Sequence, residues 1–263
     1  MRHFCPPRYN EVMPHARTTR SIPLPAWDSL QHAIATCNLC PRLRTHCQHI
    51  AHTKRAAFKD HTYWGRPVPN LGSPNARLLI LGLAPAAHGA NRTGRLFTGD
   101  RSGDFLFEAM HATGFCNQPT SVHADDGLTL IDCAITGAAH CAPPDNKPTL
   151  DEIANCQSFL DQTIALMPNL QIILCLGKIA FDAALALYKR QNWLPPKTPR
   201  PHFAHGALHT FPPIENPKSK IETAPPLLLC TYHPSQQNTF TGKLTQPMLQ
   251  KIFHTARSHL RPT

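Results

Sequence analysis

The stretch ARLLILGLAPAAHGANRTGRLFTGDRSG, residues 76–103, sets the fold. It opens with a short, nearly continuous apolar run, 76–84, without the polar alternation of a half-exposed strand. Such runs suit strands covered on both faces. Three more runs of this kind follow: LTLIDCAIT (128–136), LQIILCL (170–176) and PLLLCTY (226–232). Helical patterns lie between and around them, at 26–36, 103–114, 150–167, 178–191 and 244–260. Strand–helix alternation predicts an α/β fold, a three-layer αβα sandwich with a mainly parallel central sheet. In such sheets ligands bind outside the carboxyl ends of the strands. That rule directs attention to the loops after the apolar runs.

The chain has 263 residues, with 26 Lys and Arg against 16 Asp and Glu, a net charge of +10. A single domain over 26–263 is expected, preceded by a proline-bearing, solvated arm over 1–25. The connection 192–226 is rich in proline and is expected to hold one short strand at 206–211. No apolar run approaches the 18 residues of a membrane span, and residues 1–25 lack an apolar secretory core, so a cytoplasmic protein is expected. The positive balance suits a polyanionic partner such as DNA or RNA, and suits equally a merely basic soluble protein.

There are ten cysteines. Without export signals they read as reduced thiols, some of them metal ligands, rather than as a disulfide framework. Cys37 and Cys40 form a C-x2-C pair at the end of the first helical segment. Cys141 and Cys156 bracket the loop and helix start CAPPDNKPTLDEIANC. Together they make the four thiolates that zinc or an iron–sulfur cluster takes. Cys47 is a rival ligand. Cys133, Cys175 and Cys230 lie inside apolar runs and read as core thiols.

The loop after the first run, 82–103, is glycine-rich but lacks the Gly-Lys-Ser/Thr ending of a P-loop. Asp100 or Asp104 reads as the N-cap of the following helix. The last run leads into HPSQQN, 233–238, where His233 leaves the strand and Pro234 fixes the turn.

Taken together, these segments resemble the uracil-DNA glycosylase superfamily. GLAPA at 82–86 is similar to its first motif and HPSQQN at 233–238 to its second. NRTGRLFTGDRSG at 91–103, the cysteine pairs and CAPPDNKPT at 141–149 are similar to its iron–sulfur branch. Within that branch the match is to family 5, or type b: family 4 carries Glu where this chain has Leu83, and Asn where it has Gly137. The resemblance spans roughly residues 27–260 and leaves out the arm; the stretch 214–224 departs from compact relatives.

The resemblance implies a 4Fe–4S cluster on Cys37, Cys40, Cys141 and Cys156, with a mainly structural role. It implies hydrolysis of the N-glycosidic bond of uracil in DNA during base excision repair, by an enzyme expected to be a monomer; with Leu83 and Gly137 in place of the polar readers of stricter relatives, other deaminated bases such as hypoxanthine are expected to be excised as well. The base must leave the duplex to be reached. Asp100 is then expected to stabilise the sugar cation or orient the attacking water, and His233 to donate a hydrogen bond to the departing base. Asn146 is expected near that water. Phe97 would stack on the base, while Gly82, Leu83, Ala84, Pro85 and Ala86 line its pocket. Asn238 would brace the His233 loop, and Gln236 and Gln237 would fill the gap left in the helix. Two other readings stand beside this one. A non-catalytic, zinc-containing nucleic-acid-binding module explains the cysteines and the charge but not the two loops. A hydrolase with a nucleophilic cysteine lacks a G-x-S-x-G elbow and any cysteine in a clear strand-to-helix turn.

Overall fold

A computed structural model describes residues 24–195, 197–215 and 222–261; residues 1–23 of the expected arm lie outside them. Among the described residues, eight α-helices and eight strands follow one another. Helices α1 (Leu24–Ala35) and α2 (Pro41–Thr53) come first, then β1 (Leu71–Gly72), β2 (Leu78–Gly82), α3 (Ala90–Thr93) and α4 (Arg101–Ala112). Next are β3 (Cys133–Gly137), α5 (Leu150–Ala165), β4 (Ile172–Leu176) and α6 (Lys178–Arg190). The chain continues with β5 (Leu208–His209), β6 (Ile214–Glu215), β7 (Glu222–Thr223), β8 (Leu227–Thr231), α7 (Gln236–Phe240) and α8 (Gln246–His259).

Six strands form one sheet in the order β1-β3-β2-β4-β8-β5. The four central strands are mutually parallel, and the two-residue edge strands β1 and β5 run antiparallel to them. Gly82 pairs with Gly137, and Leu176 with Thr231, so the carboxyl ends of all four parallel strands reach one edge. Alternate side chains supply two cores. Leu79, Leu81, Ile173 and Leu228 pack with Trp27, Ile34, Leu160 and Phe181 of α1, α5 and α6. Leu78, Ile80, Ile135 and Leu174 pack with Phe107, Met110, Leu249 and Phe253 of α4 and α8. This is the expected αβα sandwich. Cys133, Cys175 and Cys230 are buried in these cores, and burial pushes the Cys230 thiol up to about 12.

Three apolar runs become strands within two residues of their expected limits. The fourth is corrected: LTLIDCAIT enters the sheet only at Cys133. Asp132 takes a left-handed backbone (φ 54°) and turns its carboxylate to the Arg77 guanidinium, which breaks the run. Leu130 instead bridges Cys116 outside the sheet. The strand expected at 206–211 is only β5, and the 214–224 stretch carries the β6–β7 pair. The basic helix α2, sitting between the first cysteine pair and the sheet, has no counterpart in the apolar pattern.

The loop between β2 and α4 is held from inside by two buried arginines. Arg95 is fully engaged: Nε donates to Thr98 Oγ1, Nη1 to the Ala124 carbonyl, and Nη2 to Ser121 Oγ and the Asp126 carboxylate. Burial alone would raise the Asp126 pKa; the Arg95 hydrogen bonds and the Val122 and Leu128 amides hold it down at about 2. Removing one partner of such a pair leaves the other charge buried and uncompensated. Arg95→Ala is therefore expected to lower unfolding free energy by about 3–5 kcal/mol, read from denaturant melts of both proteins.

Candidate active site

The loop after β2 turns on itself at residues 86–91, where the Gly89 and Asn91 amides both donate to the Ala86 carbonyl. The Ala138 and Ala139 amides donate to the Gly82 and Leu83 carbonyls, which stitches the loop after β3 to the loop after β2. Leu83, Ala84 and Ala86 are half-buried and Pro85 is buried. The amides of Ala84, Ala86 and Ala87 donate to no acceptor among the described residues. They are available to a ligand. Gly137 carries no side chain into this space because a Cβ there would lie 2.6 Å from the Ala139 carbonyl oxygen. An amide side chain at that position is excluded by the same carbonyl.

Asp100 is the N-cap of α4, as one of the two expected carboxylates. Its Oδ1 accepts from the amides of Ser102 and Gly103, at 2.9 and 3.0 Å. The other oxygen, Oδ2, lies against Gly89, where a Cβ would stand 1.9 Å away. Capping thus consumes one oxygen and leaves the second at the loop after β2. Burial raises the Asp100 pKa; the two amides and Arg92 oppose it. Arg92 reaches across the loop, with Nε donating to the His88 carbonyl and Nη2 to the Gly99 carbonyl, both at 2.8 Å. It thereby fixes the segments on both sides of the Gly89–Asp100 contact.

Phe97 has a left-handed backbone (φ 52°), rare for a bulky residue. The strain sends its ring back over the end of β2, where a Cβ on Gly82 would lie 2.9 Å from the ring edge. The same ring faces His233, with centroids 6.1 Å apart and planes at 33°. His233 also packs on Gly177 at the end of β4. Its ring nitrogens have no hydrogen-bond partner among the described residues, and burial lowers its pKa to about 4, so the imidazole is neutral at pH 7. Asn238 Nδ2 donates to the His233 carbonyl at 2.8 Å, the brace expected of it. Loops from β2, β3, β4 and β8 therefore converge around Phe97 and His233, with Asp100 three residues from Phe97. Asn146 sits apart in its bonding: it is exposed on a left-handed turn (φ 56°), and its amide donates to the Pro143 carbonyl.

Cys37, Cys40, Cys141 and Cys156 line one small pocket, together with Leu39, Pro67, His140 and Phe159. Asn155 Nδ2 donates to Cys40 Sγ. The donor set is four thiols with apolar walls and no carboxylate, which fits an iron–sulfur cluster. Cys47, the rival ligand, is not among the lining residues; it packs with Cys40, Leu43, Cys141 and Ala142, its thiol in contact with the Ala142 carbonyl and hydrogen-bonded with Cys141.

The sequence model of the uracil DNA glycosylase superfamily matches residues 69–257. A type-5 uracil-DNA glycosylase of Mycobacterium tuberculosis is 47% identical over 229 residues, 87% of this chain and 80% of that protein. Those of Thermus thermophilus and Pyrobaculum aerophilum are 40% and 37% identical, over 88% of this chain and 96% and 92% of their own lengths. The chain belongs to the uracil DNA glycosylase superfamily.

Within a superfamily defined by its loops, the supports that sequence reading missed are Gly89, Arg92 and Arg95. The signal was there, in two arginines set inside a glycine-rich loop between apolar segments, but arginine in a basic chain reads first as a surface charge. Gly89→Ala should force the Asp100 carboxylate out of its cap, costing about 10²-fold in kcat and lowering the melting temperature through the lost cap. Asp100→Asn should keep the cap, since Asn caps as well as Asp, yet lower kcat by about 10²–10³. In the unaltered protein the acid limb of the rate profile should lie above the ordinary Asp range. The rate should fall as Asp100 is protonated, while neutral His233 contributes no change between about pH 6 and 8.

Proposed function

We propose that this protein excises uracil from DNA by hydrolysing the bond between the base and deoxyribose, the first step of base excision repair. The observation that carries the reading is the contact of Phe97 with His233 between the loops after β2 and β8, in a superfamily member whose Asp100 keeps one oxygen free of its helix cap. A type-5 assignment by its relatives supports the same substrate.

The extruded base stacks on Phe97, framed by Gly82, Leu83, Ala84, Pro85 and Ala86. As the glycosidic bond breaks, its electron pair leaves with the base and positive charge grows on the sugar. Neutral His233 donates through one ring N–H to a base carbonyl oxygen, and the free amides of the Ala84–Ala87 turn add donors. Asp100 Oδ2 faces the sugar cation or orients the water whose oxygen bonds to the anomeric carbon. The products are the free base and an abasic deoxyribose. Asn146 is assigned a place beside that water once DNA covers its exposed turn. With Leu83 in place of a carboxylate and Gly137 in place of an amide reader, the side chains that select one base edge in stricter relatives are absent from these positions. Hypoxanthine and xanthine are therefore accepted as well as uracil.

Cys37, Cys40, Cys141 and Cys156 are assigned to a 4Fe–4S cluster that braces the fold. Four thiols lining one pocket without a carboxylate support such a group, and the loops at 82–103 and 233–238, which a zinc module leaves unexplained, favour the cluster over that module. The enzyme acts as a monomer, with residues 26–263 as its catalytic unit. No helix among the described residues is long and apolar enough to cross a membrane, which accords with a cytoplasmic repair enzyme.

Purified protein should release base from duplexes holding uracil, hypoxanthine or xanthine, leaving alkali-labile sites. Cleavage of uracil alone would remove the broad-pocket assignment, and no cleavage would remove the function. The purified protein should be brown, absorbing near 400 nm, and Cys141→Ala should lose both the colour and most of the soluble yield.

A further inference from the structure

Of the two arginines buried in the loop between β2 and α4, Arg95 is paired with Asp126, whereas Arg92 forms no ion pair among the described residues. Arg92 donates to the His88 and Gly99 carbonyls and, through Nη1 at 3.2 Å, to His61 Nδ1. Its guanidinium lies 4.1 Å from the centre of the Phe58 ring. The carbonyls, the accepting imidazole nitrogen and the phenyl ring all carry no charge. A buried charge is ordinarily paired with an opposite one. The carboxylate that Arg92 influences, Asp100, has Oδ1 committed to the α4 cap. Positive charge is therefore left over beneath this loop.

His88 belongs to the same cationic group. Its carbonyl holds Arg92, and its half-buried ring meets the Tyr63 hydroxyl through Nδ1 at 3.1 Å. Nε2 has no partner among the described residues. The charged and titratable groups that bear on this ring are Arg55 after α2, Arg92 of α3 and His46 of α2, with Tyr63 against its edge. None is a carboxylate; one acid, Asp145, acts beyond them on His46, which also faces His49 and Arg42. Burial first, then Arg55, Arg92 and His46, lower the His88 pKa, so the ring is neutral at pH 7. Arg55 is exposed, and its guanidinium makes no hydrogen bond or ion pair among the described residues.

Cations without a counter-ion, one of them buried, make a site for an anion. The Tyr63 hydroxyl donates to Nδ1 of a neutral ring and accepts from Nδ1–H of a charged one, so Nε2–H serves as a donor in both states. A phosphodiester accepts from such donors and needs countercharge. We propose that His88 Nε2 and the Arg55 guanidinium hold a backbone phosphate of the DNA strand beside the extruded nucleotide, and that His88 takes up a proton as this phosphate binds. Buried Arg92 adds attraction from behind without touching the phosphate. The turn with the free Ala84, Ala86 and Ala87 amides immediately precedes His88, so a phosphate held here fixes the strand against the base pocket. The proposal rests on the glycosylase reading for the identity of the polyanion. In the free protein His88 titrates below the ordinary histidine value, and a bound phosphate raises it. Binding therefore takes up protons between those two values, and affinity rises as pH falls from about 7.5 to about 6.

The test uses the full-length protein on a duplex holding a tetrahydrofuran abasic analogue, which is bound without being cleaved. Calorimetry in two buffers of different ionisation enthalpy counts the protons. At pH 6.5 the unaltered protein should take up about half a proton more than His88→Gln, which keeps an amide donor but cannot titrate. Between about pH 7.5 and 6 its affinity should rise about 3–10-fold more than that of His88→Gln. Arg55→Gln should reduce the slope of log affinity against log salt by about one; Arg55 is exposed, so this variant carries the test if His88→Gln is unstable. Equal proton uptake by His88→Gln and the unaltered protein, or an unchanged salt slope in Arg55→Gln, overturns the phosphate site even where the enzyme cleaves uracil. Uptake that is lost in His88→Gln, in a protein that cleaves no uracil, would keep the phosphate site and remove the glycosylase reading instead.

Discussion

The two hydrogen bonds that Ser102 and Gly103 donate to Asp100 Oδ1 are the constraint around which the cleft is arranged. A capping carboxylate normally has its function in the cap itself. Here the cap orients the group: with Oδ1 committed to two amides, rotation about the side chain is stopped and Oδ2 has one direction left. That direction is occupied by the one residue type that leaves room, glycine at 89. Helix α4 is packed against α8 and the sheet, so the position of the carboxylate is inherited from the core rather than from a mobile loop.

The same loop is secured to the cysteine-bearing part of the chain. The Trp64 and Gly65 amides donate to the Arg92 and Asn91 carbonyls, and Asn91 Nδ2 reaches the Cys47 carbonyl on α2. On the other side, the Val68 amide donates to the His140 carbonyl, and His140 Nδ1 donates to the Val68 carbonyl. Arg42 of α2 pairs with Glu152, which also closes the capping box of α5, the helix that carries Cys156. The cavity between the four thiols therefore lies amid contacts that lead directly to the turn holding Asp100.

Much of this was readable from residue order because burial on both faces of a strand leaves an unmistakable apolar run. The runs at 76–84, 170–176 and 226–232 each became a central strand. The run at 128–136 misled because hydrophobicity says nothing of backbone sign: Asp132 turns left-handed and delays the strand to Cys133. Helix α2 escaped notice because its exposed face is cationic and its buried face is only Leu43 and Cys47. Arg92 and Arg95 could be located but not interpreted, since the partners that bury them, Gly99, Ser121 and Asp126, are brought near by folding. Asn146 could be named from its motif. Its place on an exposed turn depends on two consecutive left-handed residues, Asp145 and Asn146, which no local pattern announced.

The sheet ends on each side in a strand of only two residues, β1 and β5, each running against its neighbour. A long bare parallel strand would offer its unpaired peptide groups to any passing chain as a template for lateral growth. Here the outermost ladder is too brief to nucleate such an extension. The protein is thereby spared from zipping to its own kind.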